Sequence, residues 1–279
     1  MKLKIVTRNK EKLRLALQGD VHSGKTLSAL LLASGLTNNN WSKIAVIDTE
    51  SNSASLFSHL GKFNTLQIAA PFTLFKYIEA IELCEESGME VIILDSITPE
   101  WIGEGGIVDT YCSMEGDSAT KWIAAMPNHH VFISYLQESK AHIIVTVRRT
   151  AKKVLQEEGY AHHFGTVLEL DQNHEASVIK DKTGLFKGIC PGELSAEVGR
   201  RLLAWCDDGE DLVPTNLQQR IDACKSHEQL QKLMVDSQLE DMSLMSAFTQ
   251  RRLELDGITD VANWQNGNSL NGKVVSLNP

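Results

Sequence analysis

The stretch Gly19-Asp20-Val21-His22-Ser23-Gly24-Lys25-Thr26 restricts this chain more than any other, because two glycines, a lysine and a threonine fall in it at the spacing G-x-x-x-x-G-K-[ST]. An apolar run, Leu13 to Gln18, precedes it, and a helix-forming run with Ala29, Leu30, Leu31, Leu32 and Ala33 follows. A strand that turns through glycines into a helix start gathers backbone N–H groups at one point, and the helix dipole adds positive potential there. Such a turn suits a polyanion. The glycines let the backbone wrap a phosphate, Lys25 reaches the outer phosphates, and Thr26 offers a hydroxyl to Mg²⁺. ATP and Mg²⁺ are therefore the expected ligands, held by Gly19 through Thr26. Asp20 and His22 stand where small neutral residues fit more easily around a polyanion; the plainer reading turns both side chains away from the cradle.

Around this turn, apolar β-branched runs alternate with helical patterns from about residue 12 to residue 208, as in βαβ units built on a mainly parallel sheet. The expected strands are Leu13 to Gln18, Lys43 to Asp48, Leu66 to Ala69, Glu90 to Asp95 and His142 to Val147. A helix is expected over Phe72 to Glu86, with Leu74, Tyr77, Ile78, Ile81 and Cys84 on one face, Pro71 at its entry and Gly88 past its end. Three short strands, Gly165 to Asp171, Ala176 to Lys180 and Leu185 to Gly188, should extend the sheet in antiparallel fashion, and a helix from about Ser195 to Cys206 should close the domain. The expected organisation is a first domain over 1–208, an acidic linker over 209–214, a helical region over 215–258 and a flexible Asn/Gly-rich tail over 259–279. Ser226-His227-Glu228-Gln229 reads as a capping box before Leu230, Leu233 and Met234.

Two strands end in carboxylates. Val91-Ile92-Ile93-Leu94-Asp95-Ser96 is an apolar strand whose terminal Asp95 is placed to hold Mg²⁺ together with Thr26. Ile44-Ala45-Val46-Ile47-Asp48-Thr49-Glu50 ends in two acids. Neighbouring parallel strands open onto one crevice at their carboxyl ends, so Glu50 can orient and deprotonate an attacking water, while Asp48 reads as a local cap.

The glycine loop, the strand ending Asp-Thr-Glu, the strand ending Leu-Asp-Ser and Ile143-Ile144-Val145-Thr146-Val147-Arg148 follow in an order and spacing that resemble the bacterial RecA core. Within that kind the chain is similar to the small phage-type RecA-like ATPases, AAA or nucleotide-binding proteins of the single-strand annealing group sometimes called Sak-four. The likeness is carried by Lys43 to Glu50, Ser139 to Arg148 and Lys180-Asp181-Lys182-Thr183-Gly184-Leu185-Phe186, and spans roughly residues 12 to 208. It implies an α/β fold with a RecA-like P-loop NTPase core, a mainly parallel central sheet, an antiparallel extension and a small helical C-terminal region. It implies an ATPase that converts ATP to ADP and phosphate, with Lys25, Glu50 and Asp95 at the site. It also implies that Thr146, with Arg148 nearby, senses the γ-phosphate, where RecA carries an amide side chain. Lys180 and Lys182 resemble two lysines that reach across to the next subunit's ATP; a surface strand with lysines facing solvent is their other reading.

The family's DNA-contacting loops correspond to Gly103-Glu104-Gly105-Gly106 onward and to Arg148-Arg149-Thr150-Ala151-Lys152-Lys153, whose Arg148, Arg149, Lys152 and Lys153 form the one dense basic run. A solvated face is the alternative reading of that run. The net charge of -9 argues against coating DNA through bulk basicity, so single-stranded DNA must be met by a local patch or by patches aligned in a ring or filament. A single-strand DNA-binding protein is a further expected partner. The 5 scattered cysteines, without a Cys-x-x-Cys pair, suit reduced thiols in a cytoplasm. The basic start, Met1 to Arg8, leads into charged residues, so no secretory leader is expected, and no apolar run is long enough for a membrane span. His129-His130 and His162-His163 lack companions at metal-ligand spacing. Trp101 and Trp122 could stack on bases; partial burial at a subunit contact is the plainer reading.

The leading expectation is an ATPase acting on single-stranded DNA in recombination, annealing or repair. A DNA-independent ATPase or phosphotransferase is the first alternative. A nucleotide-gated scaffold that uses its C-terminal helices to recruit a partner is the second.

Overall fold

Strands β1 (Arg14–Gly19), β2 (Ile44–Asp48) and β4 (Val91–Asp95) are buried along their whole length, and β5 (His142–Arg148) is buried up to Val147. Strands covered on both faces read as near-continuous apolar runs, which is why these four are recognisable from sequence. The computed structural model describes residues 7–209, 221–222, 224–236 and 242–256. The chain divides into two compact units, Met1–Glu210 and Asp211–Pro279.

The first unit is an α/β fold. Its eight strands lie in the order β3-β2-β4-β5-β1-β6-β7-β8, with β3 (Asn64–Gln67), β6 (Thr166–Leu170), β7 (Glu175–Asp181) and β8 (Gly192–Glu193) completing the sheet. All pairings from β3 to β6 are parallel; β6–β7 and β7–β8 are antiparallel. Side chains alternate between the faces. Val91, Ile93 and Ile144 pack under α1 (Lys25–Leu36) and α6 (Ala196–Asp207). Ile92, Leu94, Ile143 and Val145 pack under α2 (Leu74–Glu86) and α5 (Ser118–Glu138). Two short helices, α3 (Thr98–Ile102) and α4 (Ile107–Ser113), join β4 to α5, whose first turn is capped by the Asp117 carboxylate accepting from the amides of Ala119 and Thr120. No helix among the described residues is long and apolar enough to cross a membrane.

Strand positions depart from expectation in two places. β3 begins at Asn64, ahead of the apolar Leu66, because as the outermost strand it pairs only with β2 and tolerates exposed polar residues. Leu185 to Gly188 is a turn, and the third antiparallel strand is Gly192–Glu193 instead. The Asp181 carboxylate accepts from the backbone amides of Thr183 at 2.8 Å and Phe186 at 3.0 Å, and Gly184 and Gly188 both take positive φ, which curls the segment up.

In the second unit, α7 (His227–Asp236) and α8 (Met242–Leu255) contribute to a small core of Ile221, Cys224, Leu230, Leu233 and Phe248. Ser226 caps α7: its hydroxyl accepts from the Gln229 amide at 3.3 Å, while the Gln229 side chain accepts from the Lys225 amide at 2.8 Å.

The helix that follows the glycine loop is anchored by a backbone-to-backbone contact. A methyl on Gly35 would lie 2.1 Å from the Ala196 carbonyl oxygen, and one on Gly199 would lie 2.3 Å from the Leu32 carbonyl oxygen. Only glycines allow α1 and α6 to meet this closely. Valine is only about 0.4 kcal/mol better than glycine inside a helix, whereas overpacking of this kind costs about 3 kcal/mol. Gly199→Val should therefore lower the urea unfolding midpoint of the chain; a midpoint at or above the parent's would contradict the contact.

Candidate functional site

At the end of β1 the chain turns through Gly19 to Gly24 and enters α1. A side chain at Gly19 would stand 2.4 Å from Ser23 Oγ and 2.8 Å from the Leu170 carbonyl oxygen, so the turn closes only on a glycine. Gly24, at φ 84, caps α1 without a side-chain hydrogen bond, leaving the first-turn amides with their positive potential. Lys25 is folded back: its ammonium donates to the carbonyl oxygens of Gly19 at 3.0 Å and Asp20 at 2.6 Å. Burial pushes the Lys25 pKa down, and the carboxylates of Asp95 and Glu50 oppose that push. The Asp20 carboxylate accepts from the Val21 amide at 2.8 Å, and His22 lines the cleft.

Asp95, at the end of β4, stands opposite Asp48 of β2. It is almost wholly buried. Its two oxygens accept from separate hydroxyls: Thr26 donates to Oδ2 at 2.6 Å and Thr146 to Oδ1 at 2.5 Å. Burial raises the Asp95 pKa and these two donors hold it down, with the net direction upward. A carboxylate kept from water with only two hydroxyl donors is under-compensated. Carboxylate and hydroxyl oxygens are also the donor set a hard divalent cation prefers. Among the described residues no group of three or more His, Cys, Asp or Glu side chains could hold a metal; a cation here would rest on Asp95, Thr26 and oxygens from its ligand.

Glu50 follows β2 and is tied to Arg148, at the end of β5, by both oxygens: Arg148 Nε donates at 2.7 Å and a terminal guanidinium nitrogen at 2.6 Å. Ser96 Oγ adds a third hydrogen bond at 3.1 Å. The Glu50 carboxylate in turn raises the Arg148 pKa. Asp48 plays the local part expected of it, accepting from the amides of Glu50 at 2.6 Å and Ala54 at 3.1 Å. The Thr49 hydroxyl donates to the Ser96 carbonyl oxygen at 3.1 Å and accepts from the Ser96 amide at 2.9 Å, which locks the two strand ends together.

Gly24, Lys25, Thr26, Glu50, Asp95 and Arg148 thus surround one open cleft of about 720 Å³. Leu56 and Phe57, from the short helical turn after Glu50, form an apolar wall of it, and His174 lies on its rim. These three residues escape sequence reasoning. Leu56 and Phe57 carry no pattern beyond that of a core turn, and His174 sits in a hairpin turn far along the chain.

Other candidates lie elsewhere. Thr146 is fully buried beneath Asp95 and does not line the cleft. Lys180, on β7, donates to the carbonyl oxygens of Ala161 and His162, both at 2.9 Å, and Lys182 is exposed just past that strand. Neither lines the cleft. Arg149 is ion-paired with Glu169. Lys152 and Lys153 are exposed on a tight turn that the Lys153 carbonyl closes on the Thr150 amide at 2.8 Å. Trp101 and Trp122 are half-buried and stacked at 5.9 Å, with Tyr111 stacked on Trp122 at 4.3 Å. His129 is buried against Glu100 at 3.0 Å. Compared with models of known protein families and with curated protein sequences, the chain matches none.

The Thr146 hydroxyl should matter to the fold as well as to Asp95. Thr146→Val removes one of two donors to a buried carboxylate without changing side-chain shape, so it should cost about 1–3 kcal/mol in urea unfolding at neutral pH. In an Asp95→Asn background the same change should cost less. An equal cost in both backgrounds would mean that Thr146 does not act through Asp95.

Proposed function

We propose that this chain is a Mg-ATP-dependent ATPase with a RecA-like P-loop, and that it acts on single-stranded DNA in recombination, annealing or repair. The observation that carries the reading is the meeting of the glycine loop, the Lys25 ammonium and the Thr26–Asp95 pair at the carboxyl ends of the parallel strands β1 and β4, which flank β5, where open α/β sheets hold their ligands.

The residues fit a triphosphate. The loop amides and α1 receive the inner phosphates, and Lys25 exchanges the carbonyl oxygens of Gly19 and Asp20 for the outer ones. Thr26 and Asp95 hold Mg²⁺, which when bound neutralises charge on the outer phosphate oxygens. Leu56 and Phe57 offer an apolar wall to the base. Glu50 is the acceptor for the proton of the attacking water. As that oxygen bonds to the γ-phosphorus, the bond to the bridging oxygen breaks and ADP departs with the electron pair. The γ-phosphate competes with Glu50 for the Arg148 guanidinium, so binding of the triphosphate frees the base at the moment it is needed.

Lys180 and Lys182 can reach a nucleotide only across a subunit boundary, which the proposal assigns to a ring or filament. Lys182 is free to do so; Lys180 would first give up two carbonyl partners. Lys152 and Lys153 offer two exposed cations to a phosphate backbone. A DNA-independent ATPase is the second reading, and it is favoured by the ion pairs that occupy Arg148 and Arg149 and by the net charge of -9.

ATP turnover by the full chain, measured with and without single-stranded DNA alongside particle size by light scattering, separates the two readings. Turnover stimulated by DNA in an assembled species supports the first. Turnover indifferent to DNA supports the second. In either case Lys25→Ala should abolish nucleotide binding, and Glu50→Gln should bind as the parent does while turnover falls about 10²–10⁴-fold. A Glu50→Gln protein that hydrolyses ATP like the parent would remove Glu50 from the role of base.

A further inference from the structure

The turn between β6 and β7 reaches the glycine loop. Gln172 Nε2 donates to the Val21 carbonyl oxygen at 3.1 Å. The His174 imidazole lies over Gly24, with Nδ1 2.8 Å from where a methyl on that glycine would stand, and the ring forms part of the cleft lining. Among the described residues no hydrogen bond is made to the His174 ring. The turn is held by its own backbone: the Asp171 carboxylate accepts from the amides of Asn173 at 2.8 Å and Glu175 at 2.9 Å. His174 is thereby kept at φ 67, a conformation that disfavours any residue with a Cβ. Glycine or asparagine would occupy the position with less strain. An imidazole held at that cost, with both nitrogens unused, points to a ligand.

We infer that His174 is a hydrogen-bond ligand to the inner phosphates of the nucleotide, an assignment that rests on the nucleotide reading of the site. The sheet order supplies the reason for choosing the inner phosphates. β6 and β7 lie on one side of β1, while β5, β4 and β2, which bring Arg148, Asp95 and Glu50, lie on the other. The group to be cleaved must face Glu50, so a side chain arriving from the opposite wall and resting on Gly24 meets the phosphates that leave as ADP. His174 therefore contributes equally to ADP and ATP and leaves the chemical step alone: losing it removes uniform binding, which raises KM and spares kcat. Gln172 is a positioning residue that fixes the distance between the hairpin and the loop.

The test titrates the full chain with MgADP, and with Mg²⁺ and a non-hydrolysable ATP analogue, by calorimetry, and records melting temperature without nucleotide. His174→Gly relieves the strained backbone, so it should melt at the parent's temperature or above while binding both nucleotides about 10- to 100-fold more weakly, as loss of one hydrogen bond to a charged acceptor implies. His174→Gln keeps an N–H donor and should recover part of that loss. If the parent binds and His174→Gly binds equally well, the inference fails and the nucleotide reading survives. Weakening confined to the ATP analogue would overturn the assignment to the inner phosphates. A melting temperature well below the parent's would reduce His174 to a prop for the loop. If the parent binds neither nucleotide, the reading of the site fails and takes the inference with it.

Discussion

A single hydrogen bond, from the Thr26 hydroxyl to the buried carboxylate of Asp95 at 2.6 Å, joins the first turn of α1 to the end of β4. The glycine loop, the helix it feeds and β4 are thereby held as one body. The geometry of every other group in the cleft is measured from that junction. Thr146 supports it from below at 2.5 Å, and the glycine contact between α1 and α6 keeps the helix from sliding along the sheet. The carboxylate remains under-compensated for its burial, so the junction is also where a cation would be most favourably received.

The charges around this point are arranged in pairs. Glu50 is matched to Arg148 and Arg149 to Glu169, while Lys25 is matched to loop carbonyls. Each pairing is one that a phosphate group can compete with. Under the proposed function this gives the free protein a closed-up electrostatic state in which the base, the sensing guanidinium and the phosphate-binding ammonium are all engaged internally. A triphosphate would redistribute them together. The same pairing explains why, among the described residues, Arg148 and Arg149 of the dense basic run are ion-paired while Lys152 and Lys153 are exposed with no ion pair.

Much of the sheet is legible in the sequence because β1, β2, β4 and β5 are covered on both faces, and burial on both sides leaves a continuous apolar run. The residues brought together in the cleft are legible for a related reason: Asp95 and Glu50 stand at or just past the carboxyl ends of such runs, and parallel strands align those ends. What is hidden depends on non-local contact. Leu185 to Gly188 reads as a strand from its apolar residues, but the Asp181 carboxylate gathers the amides there into a turn. The long helix α5 carries Pro127 in its interior and several exposed apolar residues, so its periodicity is weak. His174 belongs to the cleft only because a hairpin folds back on Gly24, and no spacing along the chain announces that.

The most direct measurement is a crystal structure of the chain with Mg²⁺ and a non-hydrolysable ATP analogue. The account predicts the inner phosphates seated on the amides of the 19–26 loop, the Lys25 ammonium moved from the carbonyl oxygens of Gly19 and Asp20 onto the outer phosphates, and the cation beside Thr26 and Asp95. A nucleotide bound elsewhere, with Lys25 still folded onto its own loop and Asp95 still closed by the two threonines, would contradict it.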